Sequence, residues 1–196
     1  MNAQRPWMGP PRRHDRGMTL VELLAVLSIA AILLGIGVPG MHRLVAGTRA
    51  NGSMAELQAL LGLTRQSAIT LGRVITLCGT TDGRICSNAW NGKPTLVFID
   101  SNANRRADGN ERILALSELT QSARIHWSAS GNRNYLRYRP DGGATEFGTF
   151  TYCPSNKDVR HARQIILSAT GRPRAAVDSD GDGIVEDRNG RPLNCE

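Results

Sequence analysis

The chain has 196 residues, 40% of them hydrophobic and 21% charged, a size and balance that fit one ordinary domain plus a tail and exclude a disordered polymer or two full enzyme domains. Twenty-four Lys and Arg against 17 Asp and Glu leave a formal net charge of +7, a bias toward anionic partners such as nucleic acid or lipid headgroups. Aromatic residues make up only 5% with no aromatic-rich segment, which argues against a base-stacking platform, and Lys93 and Lys157 are the only lysines among those 24 basic residues, a preference that fits bidentate phosphate recognition or a GC-rich genome.

In chain order, residues 1–17 are polar and basic, with Arg5, Arg12, Arg13 and Arg16. From Met18 to Val38 run 21 residues whose only charge is Glu22. At about 1.5 Å per residue this stretch spans about 30 Å, the thickness of a bilayer's hydrocarbon core, and predicts one membrane helix over 18–38. A secretory signal would be shorter and would end in a small-residue A-x-A site, which does not follow here. Basic residues before the span predict a cytoplasmic N-terminus and place the rest of the chain outside the inner membrane.

A carboxylate near the start of a membrane span is costly and calls for a specific partner, the plain alternative being a Glu at headgroup level. The string Arg16-Gly17-Met18-Thr19-Leu20-Val21-Glu22-Leu23-Leu24 resembles the signal of type IV prepilins and pseudopilins. The resemblance implies that a prepilin peptidase and methylase removes residues 1–17 by cutting after Gly17 and methylates the new N-terminus at Met18, where the family usually has Phe. Glu22 then becomes an assembly residue, paired in the fibre with the free α-amine of a neighbouring subunit in low dielectric.

Beyond the span, Pro39 and Gly40 predict a kink or loosening of the helix. Ala50, Met54, Leu57, Leu61, Thr64, Ala68 and Leu71 then recur at spacings of four and three, an apolar stripe suited to lying on a sheet, with Arg43, Arg49, Glu56 and Arg65 off it. Residues 39–72 therefore read as the amphipathic continuation of one helix reaching from about Met18 to Leu71. From residue 73 to 196 the helical period gives way to strand-like runs, Val74 to Leu77, Thr95 to Ile99, Arg112 to Leu116, Arg124 to Trp127, Tyr135 to Tyr138, Thr149 to Tyr152 and Gln164 to Ser168. Gly79, Asp82-Gly83, Asn91-Gly92, Asp108-Gly109, Ser130-Gly131-Asn132 and Asp141-Gly142-Gly143 supply turns. The fold class is α+β: a long N-terminal helix packed on a C-terminal antiparallel β-domain, the plan of a type IV pilin.

Four Cys permit three pairings. In an oxidising compartment the expected one joins Cys78 to Cys86 across the Asp82-Gly83 turn and Cys153 to Cys195, stapling the tail to a late strand. A zinc site is disfavoured, since no C-x-x-C is present and the His do not cluster with the Cys. Asp178-x-Asp180-x-Asp182-Gly183, with Glu186 and Asp187 nearby, has the alternating carboxylates of a calcium loop but Asn189 at its twelfth position, so a solvated turn stands beside calcium. Asp100-x-Asn102-x-Asn104, ending at Glu111, reads as a hairpin loop. The nucleophile elbow, H-E-x-x-H, Walker and dinucleotide motifs are all missing from the sequence, and neither an enzyme nor a cofactor is expected.

Charge is segregated: residues 105–174 carry 12 Lys or Arg and six Asp or Glu, whereas 178–187 carry five carboxylates. Gly171-Arg172-Pro173-Arg174 follows the last predicted strand and a turn that would expose two Arg together, a pair suited to phosphate oxygens or to an ordinary charged hairpin. With the prepilin signal, the helix and a Cys-bearing C-terminus, this string resembles the GspH/FimT family of minor pilins and pseudopilins. In the FimT branch the Gly-Arg-x-Arg motif is associated with DNA capture, which implies Arg172 and Arg174 as double-stranded DNA contacts, with Lys157, Arg160 and Arg163 extending the patch. The GspH branch implies instead a place near the tip of a secretion pseudopilus, beside other pseudopilins and secreted exoproteins. A single-pass periplasmic enzyme or calcium-binding module is the reading from another class.

Overall fold

The structure, a computed structural model, describes residues 18–87, 90, 94–117, 123–131 and 133–195, without the side chains at 36–40, 42, 43 and 123. The expected leader with Gly17, the expected Asn91-Gly92 turn, Lys93 and Asn132 lie outside the described residues. The chain divides into two compact units between residues 42 and 43.

Helix α1 covers Leu20–Leu71, 52 residues. Thr19 caps its start: the Thr19 hydroxyl accepts from the Glu22 N–H at 3.2 Å and its carbonyl from Leu23 N–H at 3.1 Å. This is half of a Thr-x-x-Glu capping box, with Glu22 in the first turn where the helix dipole favours a carboxylate. Pro39 and Gly40 both lie within this single helical element. It ends where Gly72 takes φ +62° and Arg73 N–H donates to the Ala68 carbonyl at 3.3 Å, a Schellman stop that only a residue tolerant of the left-handed region makes cheaply.

In the first unit the apolar side chains of α1 are uncovered on every side, from Val26 at 48% to Leu20 at 75% exposed. Ser28 turns its hydroxyl back to the Leu24 carbonyl at 2.8 Å, so its only polar group is satisfied within the helix. Among the described residues no helix is long and apolar enough to cross a membrane. The described side chains of the apolar run stop at Gly35, and the crossing expected over residues 18–38 extends past them.

In the second unit Ala50, Met54, Leu57, Leu61, Thr64 and Ala68 are buried, joined by Ser53 and Leu60, so the helical spacing identified the packed face. Leu71 departs from it and is 39% exposed, since it lies in the last turn beside the Gly72 stop. Eight strands follow: β1 Ile75–Gly79, β2 Thr95–Ile99, β3 Ile113–Ser117, β4 Ala123–Ala129, β5 Tyr135–Tyr138, β6 Gly148–Pro154, β7 Arg163–Leu167 and β8 Pro173–Ala175. They form two four-stranded antiparallel sheets in the orders β3-β2-β1-β5 and β4-β6-β7-β8. β2 and β5 have the expected limits, and the other expected strands shift by one or two residues at their ends. Gly79, expected in a turn, closes β1 and pairs with Thr95. β8 is an element the sequence reading missed.

The core joins the helix stripe to both sheets, with Trp127 stacked on Phe150 at 4.1 Å and Trp90 edge-on to Phe150 at 5.1 Å. Two disulfides join Cys78 to Cys86 and Cys153 to Cys195. The second ties the C-terminal tail to β6 beside a small satellite core of Ala162, Val185, Leu193 and Cys195. Asp100 is fully buried and accepts from the Thr76 hydroxyl at 2.7 Å, which accounts for it as a loop anchor. Arg137 and the buried Glu146 pair at 2.8 Å, Glu146 also accepting the Arg137 N–H at 2.9 Å, so the charge is taken out of water fully partnered.

Candidate functional site

Two regions carry the chemistry. At the start of α1, Met18 and Glu22 are both exposed among exposed Leu20, Val21, Leu23 and Leu24. Thr19, which positions this end, is a residue sequence reading missed, although its spacing to Glu22 is the capping-box signal that could have found it.

The second region surrounds the Gly-Arg-Pro-Arg string. Gly171 is buried, has φ +74°, and lies so close to the 141–143 turn that a Cβ built on it would stand 2.2 Å from the Gly142 carbonyl oxygen and 2.8 Å from Tyr138 Cε1. The same Gly142 carbonyl accepts from Arg65 Nε at 2.9 Å, and the buried Tyr138 hydroxyl donates to the Gly171 carbonyl at 3.1 Å. Two turns and the helix are thus clamped together by the residue that opens the Arg motif. Burial pushes the Tyr138 hydroxyl well above the ordinary tyrosine range, keeping it protonated as a donor. A tyrosine raised in the folded state lends stability that is complete below the unfolded value of about 10 and is lost progressively as pH rises from there toward the folded-state value. The melting temperature of the full chain should therefore fall with increasing steepness as pH rises above about 10. Tyr138→Phe should flatten that fall while costing about 1 kcal/mol at pH 7 for the lost hydrogen bond; identical pH profiles would contradict this reading.

Arg172 and Arg174 are both exposed, and among the described residues neither guanidinium has a hydrogen-bond or ion-pair partner. They do not sit in one turn, as the sequence suggested. Arg172 precedes β8 and Arg174 lies within it, opposite Ile166 of β7, so their two-residue spacing puts them on one face of an extended edge segment. The missing N–H of Pro173 is tolerable on such an edge.

The expected extension of this patch divides. Arg163 is tied down: Nε donates to Asn51 at 3.2 Å, and Nη1 to the Arg160 and Ala162 carbonyls at 3.0 and 2.7 Å. It links the start of β7 to the helix, so it is a structural tether rather than a free cation. Arg160 is exposed in a single 3-10 turn, and Lys157 is exposed at φ +58° in the turn that its N–H closes onto Pro154. Lys157 shares a groove with Arg124, His126 and Cys195 instead of with Arg174. The sequence reading places Arg124 only at the start of a strand and not among the candidate contacts, though the alternation Arg124, His126, Ser128 against buried Ile125 and Trp127 marks the outward face of β4.

An N-terminal helix laid on an antiparallel β-sheet domain is the architecture of type IV minor pilins and pseudopilins. Comparison with known proteins agrees. Residues 53–171 match the family described as type II transport protein GspH, and residues 12–38 match the prokaryotic N-terminal methylation motif. The chain belongs to the GspH family, as a structural and non-enzymatic pilin or pseudopilin of a type IV pilus or type II secretion system. The pilin-like protein PilA1 of Thermus thermophilus is 29% identical over 170 residues, covering 81% of this chain and 97% of that one. The crystal structure of the type IV minor pilin FimU of Pseudomonas aeruginosa aligns with a TM-score of 0.53 at 18% identity, over 76% of this chain and 96% of FimU. The minor pseudopilin EpsH of the Vibrio cholerae type 2 secretion system aligns at 0.49 and 14% identity, over 67% and 99%. Pilin and pseudopilin families are anchored in the inner membrane by an N-terminal helix and form fibres with other pilins.

Proposed function

We propose that the chain is a minor pilin that primes or caps a type IV pilus-like fibre and binds double-stranded DNA through Arg172 and Arg174. A prepilin peptidase and methylase cuts after Gly17 and methylates Met18, the mature chain waits in the inner membrane with its β-domain in the periplasm, and assembly lifts the helix into the fibre core. The observation that supports assembly is the uncovered apolar face of α1 all round its first unit. So much exposed hydrocarbon is stable only in lipid or against other helices. Two unpartnered guanidiniums on one face of an edge strand support phosphate contact, because each can engage phosphate oxygens bidentately.

The full chain in mild detergent, titrated with duplex DNA at several salt concentrations, tests the DNA reading. Affinity should fall steeply with salt, by about 0.9 log unit per log unit of salt for each phosphate contacted. The Arg172→Ala, Arg174→Ala pair should weaken binding at least tenfold at low salt and flatten the slope by about 1.8. A double variant that binds like wild type, or a wild type that does not bind, favours the second reading: a pseudopilin of protein secretion contacting exoproteins or other pseudopilins. One observation favours it already, since the family that matches residues 53–171 is described as type II transport protein GspH.

A further inference from the structure

Downstream of β8 the tail returns through an acidic loop that the pilin reading leaves unused. Asp178, Asp180, Asp182 and Glu186 each bring one carboxylate oxygen to within 4.8 Å of the others. Among the described residues none of the four is in an ion pair. The three Asp are exposed, but Glu186 is 6% exposed. Its Oε2 accepts from Ser179 N–H at 2.7 Å and Ser179 Oγ at 2.8 Å, whereas Oε1 is buried without any hydrogen-bond partner. A buried carboxylate oxygen left bare beside three more carboxylates is a combination that folding alone does not favour, since burial and like charge both penalise it.

We propose that these four residues bind a calcium ion. All the side-chain donors are hard oxygens, and neither Cys nor His joins them, which suits calcium and not zinc. The order Asp178, Asp180, Asp182, Gly183, Glu186 falls on positions one, three, five, six and nine of a calcium loop, and Gly183 has the φ of +88° that the sharp turn at position six requires. The absent Glu at position twelve, which counted against calcium in the sequence, is offset by the buried Glu186, a fourth charge at position nine. The ion would join the segment leaving β8 to the returning tail, since Glu186 bridges to Pro192 and Val185 packs on Leu193 and Cys195. It would thereby brace the stretch that the Cys153–Cys195 disulfide holds at only one end.

The test uses the full chain in mild detergent, stripped with a chelator and titrated with calcium by calorimetry, with melting temperature followed in parallel. One saturable site is expected, with Kd of about 0.1–1 mM as in extracellular modules. The melting temperature should rise by about 3–6 °C at calcium tenfold above Kd and return on adding chelator. Asp180→Asn, at an exposed position, should keep the far-UV circular dichroism of wild type and lose the shift, and Glu186→Gln should lose it as well. No saturable heat, an equal shift from magnesium at matched ionic strength, or a full shift in Asp180→Asn would each overturn the site, whatever the DNA titration gives.

Discussion

Gly171→Ala should lower the melting temperature of the full chain by about 8 °C or more, the largest loss expected of any single substitution in the Gly-Arg-Pro-Arg string. Two costs add. At φ +74° an alanine meets the left-handed penalty of about 1–2 kcal/mol. Its methyl would also stand 2.2 Å from the Gly142 carbonyl oxygen and 2.8 Å from Tyr138 Cε1. The first of these is backbone, and it is held in turn by Arg65 at 2.9 Å, so relief requires the two turns to part. Parting them breaks the Tyr138 hydrogen bond to the Gly171 carbonyl and opens the core at Tyr138, which is fully buried. Together these reach about 4 kcal/mol, a large fraction of an ordinary domain's stability.

Gly190→Ala provides the contrast. Its φ of +74° is the same, but nothing lies within 4 Å of the built Cβ, so only the conformational cost of about 1–2 kcal/mol applies, a drop of about 2–6 °C. Equal losses in the two variants would mean that the close approach at Gly171 carries no weight. The comparison also separates the two halves of the string. Gly171 holds the fold, while Arg172 and Arg174 are exposed, so their removal should leave the melting temperature within about 1 °C.

The parts of this fold that the sequence revealed are those whose signal is local. Tyr135–Tyr138 and Thr95–Ile99 are short β-branched or aromatic runs bounded by turn residues, and the Ala50-to-Ala68 stripe repeats at helical spacing because one face meets the core. β8 has three residues and begins with Pro, too short and too poor in strand formers to read, and exists because β7 offers it an edge. The division into two sheets was equally hidden, since β5 returns to β1 while β4 pairs with β6, and no local pattern specifies such partners. Arg163 looked like one more surface cation in a basic stretch, whereas its anchor Asn51 lies 112 residues away in sequence. Glu186 reads in the sequence as one more acidic neighbour, whereas it is buried and bridges to Pro192, a pairing that only the folded tail creates.

Glu22→Gln should leave the proposed leader removal and the β-domain fold intact yet reduce the chain in sheared fibres at least tenfold, measured by immunoblot against the membrane fraction. Glu22 is the only charge between Met18 and Val38, and it is exposed in the first turn of a helix whose neighbours Leu20, Val21, Leu23 and Leu24 are exposed hydrocarbon. Once those side chains are buried in lipid or in a fibre core, the carboxylate must find a cation or be neutralised. In the proposed assembly that cation is the methylated amine of Met18 on a neighbouring subunit. Capping the helix is a competing role for Glu22, because it sits three residues after Thr19. Gln serves that position of a capping box about as well as Glu. A capping role therefore predicts that Glu22→Gln assembles normally while Glu22→Ala does not. An electrostatic role predicts that both fail, and that Glu22→Asp, which keeps the charge on a shorter arm, recovers part of the assembly. Normal fibre levels in Glu22→Gln would remove the ion pair from the proposed function and leave Glu22 as a helix cap.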